Sequence, residues 1–283
     1  MQIMAGSKPS TPFLSQRASL YPNFSGLVLT KFDRYQESEH ELFGSLRVIN
    51  EDRVAPRTGF GTHSHREFEI FSYVVAGELE QYVTLPLSPS SYTNPTYSKD
   101  SMGNVEVLKR GDLQLTSAGT GISHSEKAHG SKQVHFLQIW SLPNTSRLPP
   151  KYFTRHFTDE EKADNWVKVV APVGAPGVLE DREGAGPAPV QSPLTLYATL
   201  LGQGKALNRP LEGKKGYIHV VQTSGYNEGK ANGASVKINS KGGEELTLRE
   251  GDGAYIFVGK GGNTLQVEND GDRTAEILVF DLD

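Results

Sequence analysis

Two pairs of residues in this chain have types and spacing that suit the binding of a ligand or a metal. Within each pair the two residues are separated by a single position. His63 and His65 form the first pair, and His124 and Glu126 form the second. In an extended strand the side chains of residues i and i+2 share one face, so each pair can aim two ligand atoms at one point. If the two strands lie side by side, three imidazole nitrogens and one carboxylate oxygen meet there. The spacing therefore predicts a metal site.

A second carboxylate competes with Glu126 for the fourth ligand position. Glu69 shares the face of His63 and His65 if their strand runs on unbroken. Alternatively, Glu69 orients one imidazole through the ring N–H that faces away from the metal. The residues alone leave these alternatives open.

The remaining sequence favours many short strands over helices. Its thirty glycines and sixteen prolines punctuate brief apolar stretches. In the first half the predicted strands are Leu42–Ile49, Phe68–Val75, Glu78–Leu85, Val105–Leu108, Leu113–Thr116 and Val134–Trp140. In the second half they are Leu194–Leu201, Gly216–Thr223, Ser235–Ile238, Glu245–Leu248, Ala254–Val258, Thr264–Glu268 and Ala275–Leu282. One short helix is predicted after Thr158, with Glu161 closing a capping box.

A repeated turn signal indicates duplication. Gly111-Asp112 follows a strand in the first half, and Gly251-Asp252 follows one in the second. We therefore predict an all-β protein of two similar units, residues 1–150 and 151–283, each closed into a barrel or sandwich without exposed strand edges.

Several segments are predicted to connect these strands. Asp100–Asn104 and Lys109–Asp112 are predicted hairpin connections, and the proline-rich Pro86–Lys99 is a predicted surface insertion. Pro172–Pro193 is predicted to be a linker or a long loop of the second domain.

Composition excludes several classes of protein. The chain has 283 residues, a net charge of −4 and no cysteine, which excludes disulfides, thiolate-bound zinc and iron–sulfur centres. It has no basic stripe, so direct nucleic-acid binding is not expected. It also has no apolar run of membrane-spanning length, no signal-peptide pattern, no Gly-x-Ser-x-Gly elbow and no phosphate-binding glycine loop. We expect a soluble protein of the cytoplasm, the nucleus or both.

Six segments of the chain have a pattern that recurs in one protein family. They are Ser45–Asn50, Thr62–Ile70, Asp100–Asn104, Ser117–Glu126, Val134–Trp140 and Leu148–Tyr152. In these segments the chain resembles the pirin family of the cupin superfamily. The resemblance implies a bicupin, two cupin-type β-barrel or jelly-roll domains in tandem. It also implies that the N-terminal domain binds Fe(II) through His63, His65, His124 and Glu126. Beyond residue 157 the chain has one histidine, His219, and no His-x-His, so no metal site is expected in the second domain.

Three functions are compatible with such a site. The resemblance implies a quercetin 2,3-dioxygenase, which cleaves a flavonol with O2, with Glu126 as the catalytic residue that accepts the flavonol's hydroxyl proton. Other divalent transition metals suit the same ligands. The predicted lining of a dry cavity is Phe68, Ile70, Leu113, Leu115, Phe136 and Ile139. The alternative is a redox-sensitive transcriptional co-regulator that contacts a transcription factor, with the loop Lys127–Lys132 as its candidate contact surface. The third is a metal-binding scaffold without a substrate.

Overall fold

The structure, a computed structural model, describes residues 27–32, 42–84, 105–225, 233–240, 245–259 and 263–283. The first strands are β1 (Leu27–Phe32), β2 (Leu46–Val54), β3 (Gly59–His65), β4 (Glu69–Ala76), β5 (Glu78–Thr84), β6 (Val105–Lys109), β7 (Asp112–Ser117), β8 (Ile122–Ala128), β9 (Val134–Ser141) and β10 (Lys151–His156). After helix α1 (Asp159–Lys162) come β11 (Val167–Pro172), β12 (Ala188–Val190), β13 (Leu194–Leu201), β14 (Ala206–Pro210), β15 (Lys215–Val220), β16 (Ser235–Ser240), β17 (Leu246–Arg249), β18 (Gly253–Val258), β19 (Thr264–Asn269) and β20 (Ala275–Leu282).

Most predicted strands are confirmed, with one shift near the start. The strand predicted at Leu42–Ile49 begins instead at Leu46 and continues to Val54. Phe43 and Leu46 exchange two backbone hydrogen bonds of 3.0 and 3.1 Å, so the chain turns sharply before the strand begins. The predicted loop Pro86–Lys99 and turn Asp100–Asn104 lie outside the described residues.

The predicted helix is also confirmed, together with its capping box. Thr158 Oγ1 accepts the backbone N–H of Glu161 at 3.2 Å, and the Glu161 carboxylate accepts the backbone N–H of Thr158 at 2.7 Å. These reciprocal bonds satisfy two N–H groups that a helix leaves without partners at its start.

The described chain forms two compact units that alternate along the sequence. The first contains residues 47–156 and 172–192, and the second contains 27–32, 42–46, 157–171 and 193–283. The glycine-rich segment 172–192 thus belongs to the first unit and is neither a linker nor a loop of the second. Arg155 explains this placement, because its guanidinium donates to the carbonyls of Leu179, Asp181 and Arg182. The division into domains at residue 150 stays a prediction.

Both units have the same strand order. In the first unit one sheet runs β10-β7-β4-β9-β2 and the other β3-β8-β5-β6. In the second unit one sheet runs β1-β18-β15-β20-β13, with β11 beyond β13, and the other β14-β19-β16-β17. Two such sheets in each unit form a cupin-type barrel, so the all-β prediction of a bicupin is confirmed. The described residues include no helix with the length and apolar character needed to cross a membrane.

The repeated glycine-aspartate turn has the same geometry in both units. Gly111 and Gly251 adopt φ angles of 86° and 85°, a left-handed conformation that glycine adopts without a steric penalty. Asp112 and Asp252 each accept the backbone N–H of the residue three positions earlier, at 2.8 and 3.0 Å. The turn therefore provides a fixed point from which positions in the two barrels can be matched.

Candidate metal centre

Strands β3 and β8 bring the two predicted ligand pairs side by side. They pair antiparallel, with His63 opposite His124 and His65 opposite Ile122, after an irregularity that follows Phe60. Gly59 permits this close approach, because a Cβ atom there would lie 2.1 Å from the carbonyl oxygen of Glu126. The predicted adjacency of the two pairs is confirmed.

Three imidazole rings converge from these strands. One ligand nitrogen from each of His63, His65 and His124 lies within 4.8 Å of the others, and the Nε2 atoms of His63 and His124 are 3.0 Å apart. His63 Nδ1 lies 2.7 Å from the carbonyl oxygen of Gly61. Since a carbonyl only accepts, Nδ1 carries the proton and the Nε2 lone pair faces His124.

This arrangement fits a transition-metal ion. Two imidazole nitrogens bound about 2.1 Å from one ion at a right angle lie about 3.0 Å apart. Among the described residues, the buried His65 Nε2 has no hydrogen-bond partner. A buried polar atom without a partner is costly, and a metal ion satisfies a ring nitrogen directed at it.

The electrostatic environment keeps the rings of His65 and His124 neutral. Burial, and secondarily the neighbouring His63, lowers the pKa of His65 to about 4. Burial, followed by His63 and His65, lowers the pKa of His124 to about 3. Because a metal binds the deprotonated nitrogen, both rings are ready to ligate at neutral pH without first losing a proton.

Aromatic side chains lie beside His65. The ring of Trp140 meets the ring of His65 edge-on at 4.8 Å, and Phe68 packs on Trp140 at 5.3 Å. The buried Trp140 Nε1 has no hydrogen-bond partner among the described residues. This wall offers a planar apolar surface with one N–H donor beside the imidazoles.

Glu126 lies one inward position below His124, where three other strands hold its carboxylate. Oε1 accepts from Gln81 Nε2 at 2.6 Å and from the Ser72 hydroxyl at 3.3 Å, and Oε2 accepts from Gln138 Nε2 at 2.6 Å. Burial raises the pKa of Glu126 to about 7, although these three hydrogen bonds lower it. Its carboxylate is not part of the 4.8 Å histidine group. Its roles as fourth ligand and proton acceptor stay predictions.

Glu69 is engaged elsewhere. The extended conformation is interrupted between β3 and β4, where Glu67 adopts a φ of 58°. Glu69 therefore does not continue the strand that carries His63 and His65. Its carboxylate accepts from the Ser117 hydroxyl at 2.6 Å and from the backbone N–H of Gln191 at 3.1 Å. Neither of these hydrogen bonds joins Glu69 to an imidazole. The bond to Gln191 instead connects Glu69 to segment 172–192.

The predicted apolar cavity is partly wrong. Ser72, Gln138 and Gln114 occupy one inward row across the five-stranded sheet. Their strand neighbours Leu113, Leu115 and Ile139 must point to the opposite face, because side chains alternate. The interior instead has an apolar floor of Phe60, Val54, Val74, Leu79, Leu108, Ala128, Val134 and Phe136, above which the polar row and then the histidines follow.

Sequence reasoning missed Ser72, Gln81 and Gln138, the partners of Glu126. A signal was present, because each is a buried polar residue at an inward position of a strand. Polar side chains at buried alternating positions are unfavourable unless they have partners, so they indicate a network or a site.

A tandem of cupin barrels with three converging imidazoles in the first defines a metal-binding bicupin. The sequence model of the pirin family matches residues 96–141. The "Putative quercetin 2,3-dioxygenase" of Zymomonas mobilis is 32% identical over 225 residues, covering 80% of this chain and 79% of that protein. The chain belongs to the pirin family.

Two further relatives extend this comparison. The quercetin 2,3-dioxygenase of Escherichia coli K12 is 37% identical over 127 residues, which is 44% of this chain and 48% of that enzyme. The crystal structure of the bacterial pirin YhhW from Escherichia coli in complex with nickel(II) has a TM-score of 0.64 and 27% identity. That match covers 92% of this chain and 93% of the other. Together with the histidine group, these relatives support metal binding by this chain.

Proposed function

We propose that this chain is an iron-dependent dioxygenase of the quercetin 2,3-dioxygenase type, acting on a flavonol with O2. The observation that carries the proposal is the convergence of His63, His65 and His124, with two nitrogens 3.0 Å apart and His65 Nε2 buried without a hydrogen-bond partner among the described residues. The names of the relatives in Zymomonas mobilis and Escherichia coli supply the reaction class.

Fe(II) is the proposed metal, held by the three histidines with Glu126 as the fourth ligand. Bound there with open positions, it would supply the redox chemistry that couples a flavonol to O2. Imidazole and carboxylate ligands also accept Mn, Co, Ni, Cu and Zn, and intrinsic affinity favours copper. The metal must therefore be loaded under controlled conditions before activity is compared.

The protein's own residues would orient the substrate and move its proton. Trp140 and Phe68 present an apolar wall beside His65, against which a planar aromatic ring can pack while water is excluded. Glu126 Oε1 or Oε2 would take the proton of the flavonol hydroxyl. Without a bound metal, burial raises the pKa of Glu126 to about 7, so this carboxyl is able to hold a proton near neutral pH.

Gln81, Gln138 and Ser72 would hold Glu126 in position during that transfer. Each donates to the carboxylate, so together they favour its charged form and restrict its rotation. The position of the base would thus be fixed by rigid strands of both sheets.

Anaerobic loading tests the proposal. The purified protein is loaded with Fe(II), titrated with quercetin under nitrogen, and then exposed to O2, while flavonol absorbance and released carbon monoxide are followed. We expect turnover in the wild type, none in His124→Ala, and full turnover in His129→Ala. His129 is the matched control because its ring lies on the surface, bonded to Glu80 at 2.7 Å. Absence of any spectral change and of carbon monoxide in the loaded wild type would refute the proposal.

The co-regulator alternative has weaker support in the structure. Lys127 and His129, in the loop Lys127–Lys132, both contact Glu80 at 2.7 Å, so the acidic side chain offsets part of the loop's charge. A transcription-factor partner, a nuclear or cytoplasmic location and a role as a scaffold stay predictions. A pull-down that depends on the oxidation state of bound iron would favour the co-regulator.

A further inference from the structure

The two barrels of this chain provide an internal comparison of one interior row. The polar row of the first unit consists of Ser72, Gln81, Glu106, Gln114, Glu126 and Gln138. Matching the units at their glycine-aspartate turns places Ile218, Ile238, Leu246, Ala254, Val267 and Val279 at the equivalent positions, in the same order. Six polar side chains thus correspond to six apolar ones. The fold itself does not require polarity there.

Most of this row is explained by Glu126 and its partners, but Glu106 is not. Glu106 lies opposite Gln81, which lies opposite Glu126, so two strand spacings separate the two carboxyl-bearing positions, about 10 Å. The Tyr152 hydroxyl donates to Glu106 Oε2 at 2.5 Å. The Arg182 guanidinium lies 5.4 Å from the centre of the Tyr152 ring and 3.6 Å from Glu106 Oε2.

This cluster can be reached from solvent, whereas the residues that link it to the metal site are buried. The Glu106 and Arg182 side chains are 26% and 38% exposed. Gln81 and Glu126 are each 1% exposed. Among the described residues, the buried Gln81 Oε1, between the two carboxylates, has no hydrogen-bond partner.

The hydrogen-bonding capacity of the cluster defines what it can bind. Tyr152 uses its proton on Glu106, so its oxygen is left as an acceptor, and Glu106 and Gln81 Oε1 are acceptors as well. A row of acceptors selects a ligand with hydroxyl donors. The aromatic face of Tyr152 under Arg182 adds a surface for a flat ring.

We infer that Glu106, Tyr152 and Arg182 form a specificity subsite for the hydroxylated end of a polyphenol whose other end lies at the metal. The inference rests on the proposed function, because it takes a flavonol as the molecule at the histidines. Two strand spacings, about 10 Å, separate the position of Glu106 from that of Glu126, the proposed fourth ligand, and a scaffold of linked aromatic rings can span that distance. The subsite would discriminate between flavonols by the hydroxyl groups on their pendant aryl ring.

Binding measured without turnover tests this inference. The protein loaded with Fe(II) is titrated anaerobically with flavonols that carry two, one and no hydroxyl groups on the pendant ring. In the wild type we expect each such hydroxyl to tighten binding about tenfold, the value of one hydrogen bond to a charged group. Glu106→Leu, which introduces the residue found at the equivalent Leu246, should remove these differences and leave the unhydroxylated flavonol unaffected. Tyr152→Phe should reduce them.

Glu80→Leu is the matched control, because Glu80 lies on the outer face of the neighbouring strand. This variant should still distinguish the three flavonols as the wild type does. Equal weakening of all three flavonols by Glu106→Leu would show a purely structural contact between β6 and β10 and would overturn the inference. Retention of full discrimination in that variant would also overturn it.

A second titration separates this inference from the proposed function. Catechol is added to the metal-free protein, and binding is followed by nuclear magnetic resonance of the tyrosine ring signals. If flavonols fail to bind the loaded protein but catechol binds the wild type and not Glu106→Leu, the subsite stands and the dioxygenase proposal fails. If catechol does not bind the metal-free wild type, the subsite is refuted.

Discussion

Replacing Glu126 and its three hydrogen-bonding partners by the residues at the equivalent positions of the second barrel should stabilise the metal-free protein at alkaline pH. The variant is Ser72→Ile, Gln81→Ile, Glu126→Val and Gln138→Val, which introduces the residues present at Ile218, Ile238, Val267 and Val279. All four side chains change together, so neither Gln81 nor Gln138 is left as an amide donor without the Glu126 carboxylate. All four equivalent side chains already lie in one buried apolar cluster of the second unit.

The expected gain follows from the pKa of Glu126. Burial raises this pKa from 4.5 to about 7. A shift of one unit corresponds to about 1.4 kcal/mol, so the buried carboxylate costs about 3 kcal/mol above pH 7. Because the folded pKa is above the unfolded one, the folded state retains a proton between pH 4.5 and 7 that the unfolded state releases. Wild-type stability should therefore fall as pH rises through this range.

Denaturant unfolding of both metal-free proteins between pH 4.5 and pH 8 measures the effect. We expect the advantage of the variant over the wild type to be about 3 kcal/mol larger at pH 8 than near pH 4.5, where only the packing contribution remains. Glu80→Gln is the control of opposite sign, since hydrogen bonds from Lys127 and His129 lower the pKa of Glu80. That carboxylate stabilises the fold at neutral pH, and its contribution is lost on acidification. An unchanged difference between the proteins across the pH range would refute this account of Glu126.

Three further outcomes are expected. His124→Ala should weaken metal binding by more than about a hundredfold, measured by competition with a chelator, while the surface variant His129→Ala retains wild-type affinity. Glu69→Gln should leave the metal content unchanged by elemental analysis, because its carboxylate contacts Ser117 and Gln191; loss of metal would restore Glu69 as a ligand. Gly59→Ala should destabilise the protein by about 1–3 kcal/mol and reduce metal affinity, because its Cβ would collide with β8. Gly61→Ala is the control and should do neither, because a Cβ atom there would have no atom within 4 Å. Equal melting temperatures of the two variants would contradict this prediction.

The sequence predicted the histidine group because its geometry is local. His63 and His65, like His124 and Glu126, share a strand face by their i, i+2 spacing whatever the rest of the chain does. Only the pairing of β3 with β8 had to be supplied, and the glycine close to each pair indicated it. The partners of Glu126 come from β4, β5 and β9, so their convergence depends on long-range pairings that a single sequence does not reveal.

The interior lining was harder to predict because both faces of some strands are buried. In β7, Leu113 and Leu115 are as buried as Gln114 and Thr116, so exposure gives no alternation to follow. The strands β10 and β14 were missed because each is a short, polar strand at a sheet edge, with partly exposed residues and little hydrophobic pattern. Segment 172–192 was misassigned because the contacts of Arg155 that hold it are carbonyl bonds, which leave no trace in side-chain composition.

The duplicated fold separates what the barrel needs from what the site needs. Val267, Ile238 and Val279 fill the second barrel with apolar side chains in the row where the first has Glu126, Gln81 and Gln138. The strand order and the turn geometry are the same in both units, so the polar row does not specify the fold. Burial raises the pKa of Glu126, so the charged form of this carboxylate is unfavourable to the folded barrel. Residues that lower stability without specifying the fold are those expected at a functional site, and here they lie directly beneath the three histidines.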